Sequence, residues 1–227
     1  LKGPALVVMA RAPVPGEVKT RLHTHLSHEQ CASLYTALLR DAIALAEAVP
    51  GCHRFLSCSP PDAMRLFRDF APTGMGFIAQ RQGDIGQRML GIMVDIHAIG
   101  HSPIVIVGSD IPLLQPSLIE QAIKKLVDHD LCLGPAADGG YYLIGARSPH
   151  EPIFKGIRWS TSSVLAATLS RAKSLGLTAA LLEVCSDLDT IGDLRALRPK
   201  LEMLKCIPRA CLPQHTKAWL DNLGDIP

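Results

Sequence analysis

No CxxC pair occurs in the 227 residues, and the seven cysteines are odd in number and mostly embedded in apolar segments. A disulfide framework is therefore not expected; small buried thiols in a reducing cytoplasm are. Apolar runs are no longer than a strand needs, so a membrane span is not expected, and no charged-then-apolar leader opens the sequence. Charge of one sign is also lacking. Lysine and arginine total 23 against 21 aspartates and glutamates, a net +2, which argues against nucleic acid as a partner. His23, His25 and His28 are too close in sequence to converge on one metal without outside ligands, and read as solvated histidines. Two common phosphate loops are missing as well. Pro13 and Pro15 stand where a G-x-G-x-x-G fingerprint would follow the first strand, and Gly16 is too far from Lys19-Thr20 for a Walker A loop.

What is present is a 48% hydrophobic chain in which strand-like and helix-like periods alternate. Strands are expected at Ala5–Met9, Phe55–Ser57, Gly76–Ala79, Pro103–Val107, Leu131–Gly134, Tyr141–Gly145 and Ala179–Val184. Between them, helices are expected after the capping box Ser27…Gln30, over Pro61–Phe70, Ile85–Ile99, Pro116–His129 and Thr161–Leu175, and after Ile191. This alternation predicts an α/β fold with a mostly parallel sheet. The short link through Ala137-Asp138-Gly139-Gly140 implies one antiparallel neighbour, hence a mixed sheet. One domain over 1–198 is expected, with 199–227, which carries Pro199, Pro208 and Pro213, as an irregular C-terminal tail.

In open α/β sheets, ligands bind beyond the carboxyl ends of the strands. Arg11, Asp84, Asp110, Asp138, Asp187 and Asp189 all follow predicted strands, which places polar chemistry on one sheet edge. The loop ARAPVPGEVKTRL holds Arg11, Lys19 and Arg21 near the first strand's end, where forked and point cations suit phosphate oxygens; a solvated surface loop is the competing reading. Asp110 follows the strongest strand. Asp187 and Asp189 share one face if their segment is extended, and together these acids offer the hard oxygens that Mg²⁺ takes. Alternatively, Asp189-Thr190 caps the helix from Ile191. If the acids stand alone they repel, so Asp110→Asn is expected to cost no stability. Asp138-Gly139 reads as a turn, and Gly139-Gly140 as a place where backbone can approach a ligand. Trp159-Ser160-Thr161 heads a helix, as an anion site or as an ordinary cap.

Taken in order, ARAPVPGEVKTRL, QGDIGQRM, GSDIP, LGPAADGGYYLIGAR, WSTSSVL and DLDTIGDL resemble the DUF2064 family, cofC-like glycosyltransferases and nucleotidyltransferases of the GT-A superfamily. The resemblance spans roughly residues 4–198. It implies a three-layer, Rossmann-like GT-A fold, helices on both faces of the sheet, and a nucleotide over its N-terminal half. It implies phosphate contacts for Arg11, Lys19 and Arg21, and approach to base or ribose by Gly83 and Asp84. Lys19 and Asp110 become the catalytic candidates, Asp110, Asp187 and Asp189 the ligands of Mg²⁺ or Mn²⁺, and Asp138, Gly139, Gly140 and Tyr141 the acceptor side. The expected activity is nucleotidyl transfer from a nucleoside triphosphate to a small phosphorylated acceptor. The alternatives are glycosyl transfer from a nucleotide sugar and, in another class, a non-catalytic nucleotide-binding module.

Overall fold

The computed structural model describes residues 1–203 and 212–224. Seven strands form one sheet: β1 (Ala5–Arg11), β2 (His53–Ser59), β3 (Gly76–Ala79), β4 (Ile104–Gly108), β5 (Leu131–Pro135), β6 (Tyr141–Ala146) and β7 (Ala179–Leu181). Their spatial order is β3-β2-β1-β4-β6-β5-β7. β6 alone runs antiparallel, pairing with β4 and β5, while β1, β2, β3 and β4 are parallel to one another. The mixed, mostly parallel sheet is the one expected from the alternation and the short link before Tyr141.

Both faces are covered, and the period-2 alternation of the central strands shows how. Leu6, Val8 and Ala10 face Leu39 and Ala42 of α1 (His28–Ala48) and Leu118, Ile119 and Ala122 of α4 (Pro116–Lys125). Ala5 and Val7 face Met89, Ile92 and Ile96 of α3 (Ile85–Ala98) and Ala172 of α5 (Val164–Ser174). Local signals start the helices. Ser27 and Gln30 form the reciprocal capping box of α1 at 3.1 and 2.8 Å, and Asp84 does the same with Gln87 for α3. The strand register sets the end of β1 beside Ser59 and Gly108, so Arg11, Ser109 and Asp110 emerge at one edge.

Several elements differ from expectation. The stretch 61–70 gives only a 3-10 turn and a single-turn helix, α2 (Met64–Phe67). The helix expected from Thr161 starts at Val164, because Ser160 adopts a positive φ of 60° and Thr161 turns its hydroxyl back to Arg158 O. β7 ends at Leu181. The tail is not irregular throughout: α6 (Ile191–Met203) carries Pro199 inside it, so the expected boundary falls within a helix, and α7 (Gln214–Leu223) follows. α7 is docked from afar. The Asp41 carboxylate on α1 accepts the N–H groups of His215 and Thr216 at 2.9 and 2.7 Å, satisfying a helix N-terminus with a side chain 174 and 175 positions away. Leu220 then packs with Leu34 and Leu38 of α1 and Leu194 and Leu197 of α6. Cys31, Cys52, Cys58, Cys132 and Cys185 are free thiols; Cys206 and Cys211 lie outside the described residues. Among the described residues no helix is long and apolar enough to cross a membrane.

Candidate active site

A cleft of about 690 Å³ opens along the strand edge that carries the polar residues. Its basic wall is the loop after β1. Two buried apolar anchors hold that loop: Val18 packs on Ala32 and Tyr35, and Leu22 enters the cluster between α1 and α6. Between them Lys19 is forced into the left-handed region (φ 49°, ψ 42°), which costs a non-glycine residue about 1–2 kcal/mol.

The conformation delivers the Lys19 ammonium between two acids. Nζ donates to Asp110 Oδ2 at 3.1 Å and to Asp189 Oδ1 at 2.9 Å, with only 4% of the side chain exposed. Burial pulls the Lys19 pKa down, yet the charges and hydrogen bonds of Asp110 and Asp189 outweigh it, and the net shift is upward. The ammonium therefore stays charged. Arg21, mostly exposed, reaches the other oxygen of Asp189 at 3.3 Å. This corrects the expectation that the acids stand alone: losing Asp110 strips a partner from a buried cation, so Asp110→Asn is now expected to cost stability.

The segment after β7 puts Asp189 there by simple alternation. Leu188 is buried and donates its N–H to Asp110 O at 3.0 Å, so Asp187 and Asp189 turn to the cleft. Capping of α6 falls to Thr190 and Asp193, whose carboxylate accepts Thr190 N–H at 2.7 Å, which leaves both cleft acids out of that role. Asp187 is pushed up to about 6 by burial first and then by Asp189 and Asp110. Oxygen donors in this density suit a divalent cation, and Asp187 carries negative charge that Lys19 does not contact. As they stand, however, no three His, Cys, Asp or Glu side chains among the described residues close on one point. Lys19 stands between Asp110 and Asp189, two of the acids that would hold such an ion.

The far wall is built by the turn before β6. Asp138 Oδ1 accepts Gly140 N–H at 2.9 Å, closing an Asx turn. Gly139 has φ +90°, and a Cβ there would stand 2.2 Å from Ser162 O, so only glycine lets this turn rest on the segment ahead of α5. Asp138, Gly140 and Tyr141 line the cleft; Gly139 lies behind them. Trp159 lies close over Gly86 of α3 and completes the wall with Thr161 and Val164.

Of the residues singled out in the sequence, Arg11, Lys19, Arg21, Asp110, Asp138, Gly140, Tyr141, Asp187 and Asp189 meet at this cleft. Gly83 and Asp84 do not line it. The Asp84 carboxylate is used by Gln87 N–H at 2.8 Å, and the next turn of α3 offers Ile85, Arg88 and Met89 instead. Among further contributors not singled out as site residues, three hold the strand ends. Tyr35, from α1, accepts the Arg11 N–H at 2.9 Å; Ser109 lies 2.8 Å from that hydroxyl; Gln80 closes the end of β3. Gln80 and Ser109, polar residues directly after strands, had a signal in the sequence; Tyr35 had none.

A mixed seven-stranded sheet covered by helices on both faces is the fold of the nucleotide-diphospho-sugar transferases, and the chain is a transferase enzyme. Its family follows from the sequence: residues 36–161 match the family described as "Uncharacterized protein conserved in bacteria (DUF2064)", and the chain belongs to it. A provisionally assigned nucleotide-diphospho-sugar transferase from Desulfovibrio desulfuricans G20 is 30% identical with a TM-score of 0.87, over 97% of this chain and 94% of that one. CMP:2-keto-3-deoxy-manno-octonic acid synthetase complexed with CTP shares the fold at a TM-score of 0.52 and 14% identity, over 88% and 99% of the two chains. So does Rv0371c of Mycobacterium tuberculosis H37Rv, in complex with manganese, at 0.50 and 18%, over 86% and 96%. No curated protein matches the sequence.

Proposed function

We propose that the chain transfers a nucleotidyl group from a nucleoside triphosphate to a small phosphorylated acceptor, releasing pyrophosphate. The observation that carries this reading is the buried Lys19 ammonium between Asp110 and Asp189 on the cleft wall. A cation balanced by acids is poised to exchange them for phosphate oxygens. Arg11, Lys19 and Arg21 would gather the triphosphate, with Lys19 meeting the charge that grows on the departing pyrophosphate. Asp110, Asp187 and Asp189 would hold Mg²⁺ or Mn²⁺, which when bound neutralises phosphate charge. Asp138, Gly140 and Tyr141 would face the acceptor. A second reading, glycosyl transfer from a nucleotide sugar, draws on the provisional description of the 30%-identical relative.

Incubating the protein with nucleoside triphosphates, Mg²⁺ or Mn²⁺ and a pool of phosphorylated metabolites should yield pyrophosphate, and Asp110→Asn should abolish it. Release of nucleoside diphosphate from a nucleotide sugar in an acceptor-dependent way would establish the glycosyl reading instead. Nucleotide binding with no turnover of either donor would leave a binding module.

A further inference from the structure

Cys31, Leu34, Leu38 and Asp41 form a stripe along one face of α1, buried throughout and apolar until its last member. The carboxylate that ends it takes the His215 and Thr216 N–H groups, the pair that an N-cap side chain ordinarily satisfies. Pro213, in the cap position of α7, makes no such bond. The other end of α7 is held from α6: Arg198 Nη2 donates to Leu220 O at 2.8 Å and to Gly224 O at 2.5 Å. An acid from one helix and a guanidinium from another thus meet the two ends of a third, each with the sign that the helix dipole favours there.

α7 does not itself line the cleft, but what it joins does. Leu220 enters one continuous apolar cluster with Leu22, which anchors the loop of Lys19, and with Leu188, which lies between Asp187 and Asp189. α1 belongs to the loop side, since its Tyr35 accepts the Arg11 N–H. α6 belongs to the acid side, since Asp193 in its first turn accepts the Asp189 and Thr190 N–H groups at 3.1 and 2.7 Å. The 2.9 Å bond from Lys19 Nζ to Asp189 Oδ1 spans the joint between the two sides. Any slip of α6 against α1 alters that separation. We infer that α7 is a clamp that sets the spacing of the basic loop and the acid segment, with Asp41 and Arg198 as positioning residues acting through it. For its effect on binding the inference rests on the nucleotide reading above. It adds that a helix outside both the cleft and the family-matched residues 36–161 holds the site in register.

The test compares Asp41→Ala and Arg198→Met with Ile96→Ala, which opens a cavity on the other face of the sheet at a residue that does not line the cleft. Amide hydrogen exchange is followed at Leu22 and Leu188, whose N–H groups bond Lys19 O at 2.9 Å and Asp110 O at 3.0 Å, with Val105 in the middle of β4 as the internal reference. Both α7 variants should speed exchange at Leu22 and Leu188, relative to Val105, by about tenfold. They should also weaken binding of the Mg²⁺ complex of whichever of ATP, CTP, GTP and UTP the unaltered chain binds best, by about three- to tenfold. Ile96→Ala should lower the melting temperature yet leave the exchange ratio and the affinity as they were. Unchanged ratios in both α7 variants, changed ratios with unchanged affinity, or an equal effect of Ile96→Ala would each overturn the clamp. Should Asp41→Ala fail to fold, Arg198→Met carries the comparison from the other end of α7. If no triphosphate and no nucleotide sugar binds the unaltered chain, the nucleotide reading fails by itself, and the exchange ratios still decide whether α7 holds the two segments together.

Discussion

The Tyr35 hydroxyl lies 2.8 Å from Ser109 Oγ and accepts the Arg11 N–H at 2.9 Å, so one phenol on α1 joins the ends of β1 and β4. Because the oxygen accepts from Arg11, its own proton is free for Ser109. Burial raises the Tyr35 pKa, so the phenol stays protonated at neutral pH. Tyr35→Phe should keep the ring packing and lose both bonds, leaving the Arg11 N–H without its acceptor. A loss of about 1–3 kcal/mol in denaturant unfolding is expected, together with weaker triphosphate binding, since Arg11 and Asp110 leave from those strand ends. Unchanged stability and unchanged affinity would mean that the strand ends need no pin.

Lys19 and Arg21 should separate in their consequences although they flank the same acid. Arg21 is 67% exposed, and its contact to Asp189 is a surface pair contributing about 0–1 kcal/mol. Lys19 is buried, and Lys19→Ala leaves Asp110 without its counterion and Asp189 with only the exposed Arg21; since both carboxylates are 33–34% exposed, the loss should fall at the low end of the about 3–5 kcal/mol of a broken buried pair. Both alanine variants should weaken triphosphate binding more than nucleoside binding. Only Lys19→Ala should also lower the melting temperature clearly, and divalent cation should restore part of that loss. Equal melting losses for the two variants would contradict the asymmetry.

The alternation of strand and helix, the mixed sheet and the gathering of polar residues at one edge were all legible, because each depends on local period and on what directly follows a strand. Asp187 and Asp189 could be paired from their spacing, but whether they served the cleft or capped α6 could not. That depended on Thr190 and Asp193 taking the cap. The Lys19 arrangement was out of reach for another reason. It joins residues 91 and 170 positions apart, and a cation held by two acids reverses the expected sign of an acid's removal. Tyr35 was invisible because a tyrosine at helical spacing reads as core whether or not its hydroxyl serves a loop. α7 was hidden likewise, since its N-terminal partner is Asp41 and no capping residue precedes Gln214. Gly83 and Asp84 were drawn to the ligand by family resemblance, while the capping pattern Asp84…Gln87 was written in the sequence.

Gly139 should be intolerant of any side chain. A Cβ 2.2 Å from Ser162 O displaces backbone, not a flexible side chain, and φ +90° is strained for an L residue in any case. Leu165 N–H, donated to Gly139 O at 3.0 Å, would be disturbed with it. Gly139→Ala should therefore move the acceptor wall while leaving the phosphate loop in place. Turnover should fall well before triphosphate affinity does, and the split is read by measuring binding and pyrophosphate release on the same preparation. Parallel loss of both would point to general unfolding.

Asp130 offers a pH prediction on the opposite edge of the sheet. Its carboxylate accepts Thr178 N–H at 2.9 Å, an N–H of Arg147 Nη2 at 2.6 Å and the Thr178 hydroxyl at 2.7 Å, tying the start of β5 to the start of β7 and the end of β6. The backbone bond from Thr178 leads, with Arg147 next, in holding this carboxyl well below its ordinary 3.8. A carboxyl depressed in the folded state adds stability that is fully present above its unfolded value and lost as pH falls toward the folded one. Asp130→Ala should accordingly be less stable than the unaltered chain by about 1–3 kcal/mol at pH 7. That gap should hold down to about pH 5 and close progressively below 3.8. Nucleotide affinity at pH 7 should not change, because Asp130 does not line the cleft. Melting curves of the two proteins between pH 2.5 and 7 read the gap directly. A gap that stays constant across that range would show that the carboxylate's charge contributes nothing, and that the cost of the substitution lies in packing alone.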